Sequence, residues 1–414
     1  MSELFTVLTP GEAFAALCAE CSPIERKETV PLQAALGRVL WSEVRALETL
    51  PGFSRSTMDG YAVRAADTHG ASEQSPAYLR VVGDVPTGAV PSARLGRGEA
   101  IRIHTGAMIP PGADAVVMVE DTNVDRDEVE VLAAVADGEN VLSVGEDICD
   151  GDVAARPGRR LRAADLGGLA ALGVTQVDVL ARPRIAIVST GDEVVPIERT
   201  PGPAQVRDVN ATTVAATVEQ AGGIPLHRGI VPDDETVLEL ALRAAMADAD
   251  AVVLSAGSSV SVRDLTARVV ERLGAPGVLV HGIAIRPGKP TVLAVCNGIP
   301  VVGLPGNPAS ALVVAWRMVR PLVRLLGGET IARDGLGDER ERTANLTLPL
   351  PSRPGREDFV PCTLARDESG ALHATPVFGA SNLIFTLARA DALIAVPLDR
   401  SGLAAGESVR VVLP

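Results

Sequence analysis

Four acidic side chains, Glu193, Asp208, Asp233 and Asp264, lie in successive short segments of one half of the chain. Carboxylates are hard oxygen donors of the kind that suit Mg2+. Two cations, Arg286 and Lys289, share the rigid turn Arg-Pro-Gly-Lys-Pro. Lysine offers an oxyanion a point charge, whereas arginine can grip two oxygens at once. The run Pro305-Gly306-Asn307-Pro308 opens a helix, and the exposed amides of such a start can seat an anion. Acids, hydroxyls, amides and cations of this kind are what a phosphate-bearing ligand with a divalent cation requires.

The elements that must position these groups are legible around them. In RIAIVSTGDE, the apolar run Ile185–Val188 suits a strand buried on both faces, as in a parallel sheet. It delivers Ser189, Thr190, Gly191, Asp192 and Glu193 to the strand's carboxyl end, where open α/β sheets bind ligands. A second buried strand, Ala251–Leu254, runs into a small-residue loop holding Ser258 and Ser259. A third, Val301–Leu304, precedes residues 305–308. The loops 189–193, 255–264 and 305–308 are therefore expected on one sheet edge, with Arg286 and Lys289 joining them. The strand and helix rhythm predicts a doubly wound, mostly parallel sheet. Asn210 is expected to cap a helix running to about Ala221. Asp233, in the acid-rich start Pro232–Glu235, is either a second cap or a functional acid. Arg263-Asp264 is expected to begin a helix. A helix of about 18 residues from Pro308 is expected to kink or end at Pro321.

Outside this region the pattern changes. Thr9, Pro10 and Glu12 form a capping box for a helix to about Cys18. Residues 39–44 look strand-like. Asp59-Gly60 is a turn before the strand Tyr61–Val63, so Asp59 either makes the turn or serves a site. Short strands separated by Gly and Pro fill 78–132, a small β module whose rim includes Thr105. Asp147 lies in another glycine-flanked turn. Residues 163–172 suit a short helix ended by Gly173. Residues 327–341 read as a polar linker, and alternating runs near 342–350, 357–364, 371–377, 391–396 and 407–412 predict a C-terminal β domain.

Composition narrows the function classes. The 414 residues carry a net charge of −14 with 2% aromatics, which argues against a general nucleic-acid binder. Five cysteines include one C-x-x-C, Cys18 and Cys21, with no second pair to complete a zinc site, so reduced thiols in a cytoplasmic protein are expected. There is no Walker A sequence, no G-x-G-x-x-G and no evident nucleophile triad. MSELFTVLTP does not suit a signal peptide, and the apolar stretch 299–316 is too interrupted by proline to suit a membrane span.

Seven runs in order, STMDGYAVRAADT, IHTGAMIPPGADAVV, GEDI, RPRIAIVSTGDEVV, QVRDVNATTVAA, RPGKPTVLA and GLPGNPASAL, resemble the molybdopterin molybdenumtransferases, the bacterial MoeA and gephyrin E-domain family. The resemblance implies a multidomain α/β plus β chain of four parts. These are an extended domain from 1–45 and 146–180, a β module over 46–145, an α/β domain over 181–327 resembling the molybdopterin adenylyltransferases, and a C-terminal β domain over 328–414. It implies a homodimer with the site between the α/β domain of one subunit and the β module of the other. The implied reaction places molybdate on the dithiolene of adenylylated molybdopterin and releases AMP, assisted by Mg2+. The adenylyltransferase and recipient molybdoenzyme apoproteins are implied partners.

By motif, Asp59 and Asp147 would shape the partner side with Thr105 lining it. Glu193, Asp233 and Asp264 would hold or orient Mg2+, water and phosphate, with Ser189, Thr190, Gly191, Asp208, Ser258 and Ser259 around the substrate. Arg286 and Lys289 would engage oxyanion oxygens, and Pro305 to Pro308 would cradle a phosphate. Two departures bear on substrate detail: the loop Ala256-Gly257-Ser258-Ser259-Val260-Ser261 where Gly-Gly-Val-Ser is common, and Arg286 where lysine is common. Adenylyl transfer to molybdopterin and a non-catalytic scaffold role are the rival functions.

Overall fold

The structure, a computed structural model, describes residues 7–255, 260–330 and 341–413, with only the backbone described for 260–264. Contacts divide the chain into two compact units. One comprises Ser42–Arg156 with Ala163–Thr175; the other comprises Met1–Trp41, Pro157–Arg162 and Gln176–Pro414.

The larger unit is built on a six-stranded sheet in the spatial order Ile224–Val231, Arg184–Thr190, Ala251–Ser255, Ile299–Leu304, Val292–Cys296, Pro276–His281. The first four strands run parallel, and Val292–Cys296 is antiparallel to both its neighbours. The continuous apolar runs are explained by burial on both faces, since alternate residues enter different cores. Ile185, Ile187, Val253 and Val302 face one core, with Phe14 and Leu17 of the helix Pro10–Ala19 and the helices 209–220 and 308–326. Ala186, Val188, Val252 and Leu254 face the other, with the helices Glu235–Met246 and Val260–Glu271. The last of these begins at Val260, earlier than the expected Arg263.

Pro321 does not end its helix. A π turn, Ala315–Val319, precedes it, and the helix continues from Arg320 to Leu326. Such a widened turn relieves the i to i−4 pattern where proline lacks its N–H. The same turn carries Arg317, whose guanidinium lies 5.1 Å from the Phe359 ring centre.

The C-terminal strands follow the expected runs: Glu341–Leu346, Glu357–Arg366, Leu372–Pro376, Ala392–Val396 and Ser408–Val412. Glu357–Arg366 pairs with both Leu372–Pro376 and Ala392–Val396, so the five strands close into a barrel. Ala392, Ile394 and Val396 fill its interior, while Leu393 and Ala395 join the α/β core. The short strand Ile285–Arg286 adds to this sheet, pairing parallel with Glu357–Asp358.

In the smaller unit, six strands order as Ala115–Met118, Gly60–Val63, Glu99–Ile103, Ala77–Val85, Glu128–Val131, Thr122–Asp125. Tyr61 and Val63 face one core and Ala62 the other. Gly60 is required by close approach, because a Cβ there would lie 1.9 Å from the Val117 carbonyl oxygen. The helix Ala163–Ala171 also belongs to this unit. The strand expected over 39–44 is reduced to isolated bridges at Val39 and Leu40 and a two-residue strand, Val44–Arg45. Among the described residues, no helix is long and apolar enough to cross a membrane.

Candidate functional site

The parallel register sets Ser189 beside Ser255, Ser255 beside Leu304, and Thr190 beside Val231. The loops leaving these four strands therefore start from one sheet edge. Thr190 Oγ1 donates to Asp233 Oδ1, and the Asp233 amide donates to Asp192 Oδ1 at 3.3 Å. Asp233 is not the helix cap. Asp234 takes that position, its Oδ1 accepting from the Thr236 and Val237 amides. Asp233 is thereby tied across the loop instead of to its own helix. At Gly191, where φ is +144°, a Cβ would lie 2.8 Å from Glu193 Oε2. Glycine thus lets the half-buried Glu193 carboxylate fold back against the turn.

Asn210 is likewise not a cap. Asp208 caps the helix Val209–Gln220 by accepting from the Ala211 amide at 3.0 Å. This occupies one Asp208 oxygen that was expected to face substrate. Asn210, buried at 7% exposure, donates through Nδ2 to Ser255 Oγ at 2.7 Å and to the Gly306 carbonyl at 2.9 Å. It therefore joins the second and third loops. The buried atoms Ser189 Oγ and Asn210 Oδ1 have no partner among the described residues. Asn210 escaped sequence reasoning because Asp208 and Asn210 are both good cap residues two apart. A second cap-type residue inside a first helical turn is the signal that could have found it.

Arg286 and Lys289 border a different feature, a cleft of about 720 Å3 between the α/β domain and the C-terminal barrel. Pro305, Gly306 and Asn307 line it too, whereas Pro308 does not. Gly306 is common to both features: it lines the cleft, and its carbonyl accepts from Asn210. The anion seat expected at this helix start is partly filled. The Ala309 amide donates to the Ser381 carbonyl at 3.1 Å, and Asn307 Nδ2 donates to Ser381 Oγ at 3.0 Å instead of capping. Arg286 is paired with Asp358 at 3.4 Å. Arg356, Asp358 and Ser381 were missed because the C-terminal segment reads only as strands. The cation in the turn before Glu357–Arg366 was the available hint.

In the smaller unit, two residues singled out separately prove to be partners. Asp59 Oδ1 accepts from the Thr105 amide at 2.8 Å and from Thr105 Oγ1 at 3.2 Å. These bonds, the amide first, hold the Asp59 carboxyl below the usual carboxylate range, with His104 and Arg102 adding smaller electrostatic help. Asp147 is exposed, and its amide donates to the Leu50 carbonyl at 3.1 Å. The thiols of Cys21 and Cys362 are pushed up to about 12 by burial, which suits inert cysteines.

Ser258 and Ser259 lie outside the described residues, and so does the side chain of Asp264. Among the described residues no group of three His, Cys, Asp or Glu is poised to hold a metal. Glu193 and the second oxygen of Asp233 remain as hard donors without a hydrogen bond among those residues. Mg2+ commonly uses one or two carboxylates and takes its other ligands from substrate phosphate and water, so these residues fit it.

Three family profiles match the chain in order: "MoeA N-terminal region (domain I and II)" over residues 8–173, "Probable molybdopterin binding domain" over 186–325, and "MoeA C-terminal region (domain IV)" over 343–413. A molybdopterin molybdenumtransferase of Nostoc sp. is 36% identical over 398 residues, covering 93% of this chain and 88% of that one. Its counterpart in Bacillus subtilis is 34% identical, covering 93% and 89%. A crystal structure of the molybdopterin biosynthesis MoeA protein from Pyrococcus horikoshii OT3 superposes with a TM-score of 0.83 at 30% identity, covering 99% of this chain and 100% of that one. The chain belongs to the molybdopterin molybdenumtransferase (MoeA) family.

Proposed function

We propose that this chain is a molybdenum insertase, placing molybdate on the dithiolene of adenylylated molybdopterin with release of AMP. The observation that carries this reading is the ordered match of all three MoeA regions, with relatives about as long as the chain itself. The site reading adds chemistry to it. Arg286 and Lys289 attract the oxyanion, and Asn307 and Gly306 frame the same cleft. Asp59, kept ionised by Thr105, supplies a fixed negative charge, with Asp147 in the same unit. Glu193, Asp233 and Asp264 would hold Mg2+, which when bound draws charge from the substrate phosphate. Ser189, Thr190, Gly191, Asp208, Ser258 and Ser259 surround the ligand in this reading.

A cytoplasmic homodimer, the four-part domain division, and contacts with the adenylyltransferase and apoenzymes belong to the same proposal. Purified protein given adenylylated molybdopterin, Mg2+ and molybdate should release AMP. ATP-dependent adenylylation of molybdopterin, with no AMP release from the adenylylated form, would refute the proposal.

A further inference from the structure

Among the described residues, four charged ones line the cleft: Arg286, Lys289, Arg356 and Asp358. Three cations against one carboxylate leave two positive charges, the complement of a tetrahedral dianion. Asp358 is unusual among them, being 2% exposed. Its Oδ1 accepts from Arg356 Nε at 2.8 Å. Its Oδ2 accepts from Ser352 Oγ at 2.9 Å and, at 3.4 Å each, from Arg356 Nη2 and Arg286 Nη1. Arg286 and Asp358 are also register partners in adjacent parallel strands, so the backbone fixes their separation.

The guanidinium side chains remain 61% and 31% exposed for Arg286 and Arg356. Each carries five N–H donors, so both keep donors for a ligand after pairing with Asp358. Coulomb's law alone makes Asp358 a hindrance, because a carboxylate repels the anion the cleft attracts. Its presence is explained by order: two long, rotamer-rich side chains lose their freedom before the ligand arrives instead of on binding.

We infer that Asp358 is a positioning residue for oxyanion capture, holding Arg286 and Arg356 in the arrangement that, with Lys289, grips a tetrahedral dianion. The inference rests on the proposed reading of Arg286 and Lys289 as the molybdate-binding cations. It assigns the C-terminal barrel a part in substrate binding, through a side chain that need not touch the substrate.

The two roles of a carboxylate beside an anion site predict opposite signs. If Asp358 only lowers the local charge, Asp358→Asn tightens anion binding. If it positions, Asp358→Asn weakens molybdate binding despite the added positive charge, by roughly 10- to 100-fold, as expected for one or two charged hydrogen bonds. Molybdate alone is titrated into the full-length protein by calorimetry, with inorganic phosphate as a comparison ion. The KM for molybdate and kcat are then measured from AMP release.

The expected result is weaker molybdate binding and a raised KM with kcat nearly unchanged, partly restored in Asp358→Glu. Ser352→Ala, which keeps every charge, should shift affinity in the same direction by a smaller factor, and it carries the test if the Asn variant fails to fold. Unchanged or tighter molybdate binding in a folded Asp358→Asn or Ser352→Ala protein overturns the inference, as does wild-type protein that binds no molybdate. Wild-type protein that binds molybdate but releases no AMP refutes the insertase reading instead, and leaves the binding comparison to decide the role of Asp358.

Discussion

Replacing Asn210 with alanine should loosen the ligand edge of the α/β sheet. The side chain makes two bonds, to Ser255 Oγ at 2.7 Å and to the Gly306 carbonyl at 2.9 Å. Losing a bond and stranding a buried partner costs about 1–3 kcal/mol. Two features lower that figure. Gly306 lines the cleft, so water can replace the lost donor there. The Asn210 Oδ1 atom is already buried without a partner among the described residues, and its removal is favourable. A net loss of about 2 kcal/mol follows, or roughly 3 °C in Tm for a unit of this size.

Asn210→Asp does not restore stability. The Ser255 hydroxyl can rotate to donate to a carboxylate, but the Gly306 carbonyl then faces a second acceptor. Because Asn210 joins the loops at 255 and 305–307, AMP release in the alanine variant should fall about ten- to a hundredfold, as small misplacements in a site do. Thermal melting followed by circular dichroism, with AMP release on the same preparation, tests both effects. An alanine variant as stable and as active as wild type would refute the role assigned to Asn210.

Two neighbouring acids should separate cleanly. Asp234→Ala removes an N-cap and should cost about 1 kcal/mol of stability with AMP release retained, whereas Asp233→Ala should abolish most AMP release with a smaller loss of stability; denaturant melts and turnover of the two variants decide this. Thr105→Val deletes the hydroxyl bond to Asp59 and keeps the amide bond, so the Asp59 carboxyl should titrate closer to its ordinary range in an NMR titration. The sign for stability follows. A carboxyl whose folded pKa is depressed stabilises above its unfolded pKa of about 3.9 and loses that contribution as pH falls through the lower folded value, so the Asp59 contribution survives mild acid and disappears only below the ordinary carboxylate range.

Much of the fold follows from local pattern, because burial on two faces forces continuous apolar runs and burial on one face forces alternation. Ile185–Val188 and the five barrel strands were legible for that reason, as was the box formed by Thr9 and Glu12. Caps were harder. Asp208 and Asn210, like Asp233 and Asp234, are chemically interchangeable at a helix start, and tertiary demand decided which one capped. Asp233 was claimed by Thr190, and Asn210 by Ser255 and Gly306. At Pro321 the sequence left a kink or an end open, and the helix continues because relief came from a π turn that has no signature in composition. The largest gap lay at the cleft. The pairing of Ile285–Arg286 with Glu357–Asp358 spans 72 residues at Arg286 and Asp358, and nothing local to either segment announces it.

The central claim is best tested by measuring molybdenum bound to the pterin product and AMP released in the same reaction. The account predicts equal amounts of the two in wild-type protein and neither in Glu193→Gln. AMP released without molybdenum transfer, or full transfer by Glu193→Gln, would contradict it.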